Sequence, residues 1–390
     1  MLEPLLIAGF VVSLFVGYNI GGATTGPAFG PAVGSGVLSK VAAAALMSVF
    51  FFAGAWTVGR RVVSTLGEDL VSGASVFTLE TSAIALFFIG GALFVGNYAG
   101  VPASTSMTAV GAIAGLGVAS GTLDWAVMGE IVTWWVVAPI VGFWVSGVVG
   151  RYLYPAINRR VAVDSSEGPL LELDRSGAVP VPRAGPNTTR REVAGAAVVV
   201  GIGCLMAFSS GTSNIANAIA PLFAVGVEMD LLILLGGAAV AVGAFTIARR
   251  TLDTLGNDIT DLPLTAAIVV AVVSSTIVVA LSAIGIPASF VIIATMSIVG
   301  LGWGRATRST TVSEGVRGEE QPAVSVGALT AEEPGEEVPD IGEEDPEDVP
   351  ETADLFDPST TGRVILMQNV VPLLSTVGAL VAFWLLFGVL

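Results

Sequence analysis

Apolar runs alternate with short polar interruptions along almost the whole chain. Runs at residues 5–18, 38–58, 81–98, 101–119, 125–154, 193–208, 231–248, 264–284, 286–303 and 364–390 each approach the roughly 20 residues that a helix needs to cross the hydrocarbon core. Two interruptions fall beside such runs and hold no charge. One is Gly21-Gly22-Ala23-Thr24-Thr25-Gly26-Pro27-Ala28-Phe29-Gly30-Pro31; the other is Gly211-Thr212-Ser213-Asn214-Ile215-Ala216-Asn217-Ala218-Ile219-Ala220-Pro221. Hydroxyls, amides, small residues and proline suit a helix that breaks inside a membrane to offer backbone to a solute. The pattern predicts an all-α integral membrane protein with about ten transmembrane helices plus two re-entrant or broken helices.

Three landmarks recur in order. Arg60-Arg61 followed by Thr65-Leu66-Gly67 returns as Arg249-Arg250 followed by Thr254-Leu255-Gly256, an offset of 189. Phe29-Gly30 aligns with Ile219-Ala220 at 190, and Gly100-Val101-Pro102-Ala103-Ser104 with Gly285-Ile286-Pro287-Ala288-Ser289 at 185. Three matches in register indicate a duplication. Five spans separate equivalent points, so the second copy is predicted to be inverted, an arrangement that serves alternating access. The expected division is a first membrane repeat (1–154), a polar loop (155–191), a second repeat (192–304), an acidic and mostly disordered loop (305–362) and a final transmembrane helix (363–390). Arginines flank both polar loops, which are therefore expected in the cytoplasm with both termini outside. Arg60-Arg61 would then be external, a violation that inversion of one copy accounts for.

Composition sharpens the picture. The chain is 53% hydrophobic and 12% charged with a mean hydropathy of +0.83, against about 25% charged residues in soluble domains. No cleavable leader is expected, since no basic stretch precedes the first apolar run. Acidic residues number 32 against 16 basic ones, of which Lys40 is the only lysine, and half of the acids lie in 305–361. Excess carboxylate suits a surface facing concentrated salt, a halophilic trait. One cysteine (Cys204) excludes an internal disulfide, and the absence of histidine removes the commonest metal ligand and general base. No nucleophile–base set is visible, so an enzyme, a metal centre and a nucleic-acid partner are not expected.

The two polar stretches, together with Val101-Pro102-Ala103-Ser104-Thr105-Ser106-Met107 and Thr108 to Gly115, resemble the fingerprint of the inorganic phosphate transporter family, which also includes sulfate permeases. The second-half stretch follows the family's Gly-Ala-Asn-Asp-Val-Ala-Asn-Ala-Phe-Gly well. There the family's aspartate is Asn214, and in the first half it is Thr24; the family's histidine is Met107. The resemblance implies a secondary transporter that takes an inorganic oxyanion across the cell membrane, phosphate first and sulfate as the alternative, coupled to sodium or protons. Its partners would be the anion, the bilayer and a second copy in a homodimer. Substrate donors would come from Thr24, Thr25, Ser104, Thr105, Ser106, Ser213, Asn214, Asn217 and Ser289. The coupling-ion candidates are Asn19, Thr24, Asn214, Asn217 and Glu130. No cofactor is expected beyond sodium as coupling ion.

Other readings stay open at this level. Small and hydroxylated residues such as Thr24 and Ser289 also mediate close helix packing. Glu130 is either interfacial or an ion ligand, and Trp134 and Trp135 are packing groups or interface anchors. Loss of the aspartates permits a cation-independent anion channel. A sensor that kept the fold and uses the acidic loop to bind partners is a third class.

Overall fold

A computed structural model describes residues 4–34, 37–73, 76–98, 104–161, 171–174, 181–184, 189–247, 264–309 and 358–389. Ten long helices dominate them: α1 (Pro4–Gly34), α2 (Lys40–Asp69), α3 (Leu79–Tyr98), α4 (Thr105–Ser120), α5 (Trp125–Val148), α6 (Arg190–Ala224), α7 (Met229–Thr246), α8 (Leu264–Ala283), α9 (Phe290–Ser309) and α10 (Pro358–Val389). Eight helical stretches are long and apolar enough to cross a membrane; those in α4 and α9 are shorter. Their outer faces are apolar: Val132, Val136, Ile140, Trp144 and Val148 all point outward from α5. That is the pattern of a helix bathed in lipid. The chain is therefore an all-α membrane protein.

Helix starts follow local chemistry. Ser39 caps α2 by accepting from Ala42 N at 3.2 Å, Ser104 caps α4 from Met107 N at 3.3 Å, and Asp124 caps α5 from Ala126 N at 2.9 Å. Helix α4 stops at Gly121, whose φ of 71° suits a residue without Cβ. Helix α2 stays continuous through two wider turns, Ala55–Gly59 and Thr65–Asp69, the second closed by Leu70 N donating to Thr65 O at 2.9 Å.

The expected breaks are not breaks. Both α1 and α6 run unbroken through 21–31 and 211–221. The hydroxyls turn back onto their own helix: Thr24 donates to Ile20 O and Thr25 to Gly21 O, each at 2.7 Å. Around Pro221, which lacks an N–H, Ser13 and Ser82 from other helices donate to Ala218 O (2.7 Å) and Pro221 O (2.6 Å). The interruption lies elsewhere. After α8 the chain leaves helical form at 284–289, although Gly285 to Ser289 are buried.

Boundaries also differ at the polar loops. Helix α5 continues through Val149–Leu153 into Tyr154–Val161, the final helix starts at Pro358, and two short antiparallel strands, Leu171–Asp174 and Val181–Ala184, lie within the 155–191 loop. The acidic stretch from 310 to 357 and the Arg249-Arg250 landmark lie outside the described residues.

Glycines bring helices from the two halves into backbone contact. A Cβ on Gly21 of α1 would lie 2.0 Å from Val240 O of α7, and one on Gly211 of α6 would lie 2.0 Å from Phe51 O of α2. The reverse contacts match as well, since Gly243 meets Tyr18 O and Gly54 meets Phe208 O, each at 2.1 Å. These partners are related by offsets of 190 and 189. Helices α4 and α9 repeat the relation. Gly115 faces Thr376 O of α10, and Gly300 faces Phe143 O of α5. Pro139 of α5 and Pro372 of α10 occupy corresponding places one turn earlier.

Candidate functional site

Four polar residues of α6 share one helical face by their spacing of three and four: Ser210, Ser213, Asn214 and Asn217. All are buried. Asn214 Oδ1 accepts from Thr105 Oγ1 at 2.7 Å and from Asn217 Nδ2 at 3.3 Å, while Asn214 Nδ2 donates to Ser210 Oγ at 3.0 Å. Thr105 opens α4, so the amino end of that short helix abuts the middle of α6.

The non-helical segment 284–289 closes the third side. Ser213 Oγ donates to Ala288 O at 2.9 Å and accepts from Ala288 N at 3.2 Å, satisfying both backbone groups of one residue. Ser106 Oγ also donates to Ala288 O at 2.9 Å and lies 3.2 Å from Ser213 Oγ, so the two hydroxyls converge on one carbonyl. Trp135 of α5 adds its indole N–H to Pro287 O at 2.9 Å. Irregular backbone at membrane depth survives only where its polar groups find partners, and these side chains provide them. Thr212 Oγ1 bonds to Ser282 Oγ at 3.1 Å just before the segment.

Asn217 Oδ1 and Ser289 Oγ, both at this junction, are among several buried side-chain oxygens that have no hydrogen-bond partner among the described residues; Ser146, Ser209, Ser275 and Ser375 hold others. Leaving such an atom unmet costs about 1–3 kcal/mol, and at the junction it leaves a hydrogen-bonding position open. The bonded set holds hydroxyls, amides and backbone, and no Asp, Glu, Lys or Arg.

Of the sequence-derived candidates, Ser104, Thr105, Ser106, Ser213, Asn214, Asn217 and Ser289 therefore gather where α4, α6 and 284–289 meet. Thr24 and Thr25 bond within α1. Asn19 sits apart in an amide pair, with Asn97 Nδ2 donating to Asn19 O and Oδ1, both at 3.1 Å. Glu130 is exposed and lines an open cleft of about 420 Å³ with Thr65, Glu68, Asp69, Ser72, Asp124, Ile284 and Ile286. Ser210 and Trp135 were not among the candidates. The helical spacing from Asn214 and Asn217 points to Ser210; no sequence signal marks Trp135, whose partner is a carbonyl 152 residues away.

Comparison with known proteins gives a consistent result. Residues 20–319 match the model of the phosphate transporter family. The sulfate permease CysP of Bacillus subtilis is 31% identical over 307 residues, covering 77% of each chain. Relatives in Pyrococcus abyssi and Haemophilus influenzae, at 23% and 24% identity, bear phosphate permease names; the alignments span 80% and 76% of this chain. The solved structure of a sodium-dependent phosphate transporter superposes over 100% of both chains with a TM-score of 0.70 at 17% identity, a likeness of fold.

Proposed function

The chain belongs to the phosphate transporter family, and from that premise we propose that it moves a tetrahedral oxyanion through the α4–α6–284–289 junction, with sulfate as the anion that suits the junction best. A transporter of this family is not an enzyme. One observation carries the choice of sulfate: the hydrogen-bonded set contains no carboxylate and no base. Sulfate has no proton to give away, so it is satisfied by donors alone, and a carboxylate in its cage would only repel it. Each asparagine amide has a second hydrogen to give. Thr105, Ser106 and Ser213, whose hydroxyl hydrogens go to Asn214 Oδ1 and Ala288 O in this state, would turn to the anion on binding, and the amino end of α4 adds its dipole. The sulfate permease of Bacillus subtilis is consistent with this reading.

Phosphate is the second reading. At neutral pH it keeps a P–O–H that requires an acceptor, and the unmet Asn217 Oδ1 is one. The family's name favours it.

We further infer alternating access between two inverted repeats, since the glycine contacts recur at the offsets of the duplication. Sodium is the proposed coupling ion, held by neutral oxygens, with the large polar loops on the cytoplasmic side. The deciding experiment is uptake of labelled sulfate and labelled phosphate into proteoliposomes at high salt, with and without an inward sodium gradient. Sodium-driven sulfate uptake that phosphate competes with poorly is the expected result. Phosphate uptake that sulfate cannot compete with would reverse the assignment, and flux indifferent to both sodium and proton gradients would make the protein an anion channel.

A further inference from the structure

Segment 284–289 has two different sides. Ile284 and Ile286 line the open cleft with Thr65, Glu68, Asp69, Asp124 and Glu130. The backbone of Pro287 and Ala288 is bonded to Trp135, Ser106 and Ser213. Only a few residues of irregular chain therefore stand between the open cleft and the hydroxyl cluster. Both ends of this stretch are fixed. Arg61 of α2 donates to Ala283 O at the end of α8, and Gly285, at φ 84°, packs so closely on Thr65 that a Cβ would sit 2.6 Å from its Oγ1.

Trp135 stands apart from the other partners of this stretch. Ser106 and Ser213 belong to the polar cluster itself, whereas Trp135 reaches in from α5 and touches the stretch from outside the cluster. Beside it lies a cavity of about 10 Å³, close to the size of one water, lined by Met107, Trp134, Trp135, Pro139, Ser289 and Ile293. We propose that 284–289 is a movable wall between the cleft and the hydroxyl cluster, and that Trp135 is the positioning residue that latches it shut through Pro287 O. Opening then costs the indole–carbonyl bond, the two Ser213–Ala288 bonds and the Ser106–Ala288 bond, a small number for a gate that must move in every cycle.

The chain suits a direct test because Cys204 is its only cysteine and is buried. Ala288 contributes to the latch through its backbone, so Ala288→Cys in a Cys204→Ala background leaves those bonds intact and reports opening. Thiol labelling of the full chain in detergent is compared with Trp135→Phe and with Trp134→Phe. Trp134 lines the same cavity, and its indole has no hydrogen bond to the wall among the described residues. The expected result is labelling roughly fivefold to tenfold faster in Trp135→Phe, the population shift that loss of one net hydrogen bond produces, and unchanged in Trp134→Phe. Equal rates in all three proteins, or equal acceleration in both variants, would overturn the latch and leave only packing.

A second arm keeps Trp135. Saturating sulfate or phosphate, whichever the protein takes up, should change the labelling rate of Ala288→Cys. An anion that is taken up and leaves the rate unchanged overturns the moving wall, and this arm decides alone if Trp135→Phe does not purify as a monodisperse protein. This arm rests on the transport reading. Failure of that reading would show separately, as absent uptake.

Discussion

Thr105 Oγ1 and Asn214 Oδ1 lie 2.7 Å apart although 109 residues separate them in the chain. The bond joins the first turn of α4 to the middle of α6, and so joins the two halves at their polar centre. Asn214 spends its oxygen on two donors and its amide on Ser210, which fixes the plane of its side chain.

Thr105→Ala or Asn217→Ala should therefore abolish uptake while leaving the protein folded in the membrane. A tenfold loss of rate corresponds to about 1.4 kcal/mol, and a site that relies on neutral donors should lose at least that when one is removed. Initial uptake rates in proteoliposomes check this. Wild-type rates in both variants would remove the site from the junction.

Asn214→Asp should set sulfate against phosphate. The substitution places a carboxylate between Thr105 and Asn217, where it repels a dianion without a proton and accepts from one with a P–O–H. Sulfate uptake should fall at least about tenfold relative to phosphate uptake. Equal losses for both anions would show that the side chain does not choose between them.

Uptake of sulfate should be flat between about pH 6 and 8, because the chain has no histidine and the bonded set has no titratable side chain. Over the same interval phosphate uptake should follow the changing share of monoanion and dianion in solution. A sulfate profile with a sharp step would require a titrating group outside the bonded set.

The helix contacts make a structural prediction. Gly211→Ala places a methyl 2.0 Å from Phe51 O, so α2 and α6 must move apart, at a cost of about 1–3 kcal/mol for overpacking. Gly201→Ala on the same helix meets nothing within 4 Å and should be neutral or slightly stabilising. Thermal midpoints in detergent should drop clearly for the first and stay level for the second.

Asp230→Asn should matter little. Its carboxylate pairs with Arg60 at 2.5 Å, and Arg60 also lies over the Trp56 ring at 4.6 Å, but the paired side chains are 48% and 33% exposed. At that exposure the pair is worth about 0.5 kcal/mol or less, and concentrated salt screens even this. A midpoint shift beyond a few degrees, measured at high salt, would contradict it.

The sequence announced much of this. Hydropathy alone gives the helical membrane class, and the resemblance of the Ser104–Ser106 and Ser213–Asn217 motifs to the family's fingerprint brings forward most residues of the polar junction. It misled about where the chain breaks. A stretch of Gly, Thr and Pro reads as a break, yet Thr24 and Thr25 satisfy themselves against Ile20 and Gly21 and keep α1 whole. The true interruption at 284–289 was visible as a repeated Gly-x-Pro-x-Ser motif and was read as the start of a helix. What holds it open is tertiary: Ser213, Ser106 and Trp135 supply partners that no local pattern encodes. Ser104 and Asp124 as helix caps were legible in principle, and Asn19 with Asn97 was not, because their pairing depends on how α1 lies against α3.

The glycine pairing also bears on how the protein is made. Gly111 and Gly115 of α4 are packed by Thr376 and Leu380 of the final helix, about 265 residues later in the chain. At 5–20 residues per second, a ribosome needs on the order of tens of seconds to deliver that partner. For that time α4 waits in the bilayer with its small-residue face against lipid, which unlike water imposes no hydrophobic penalty on it. Among the described helices α10 is the last to be made, and the contact between α4 and α10 thus waits for it.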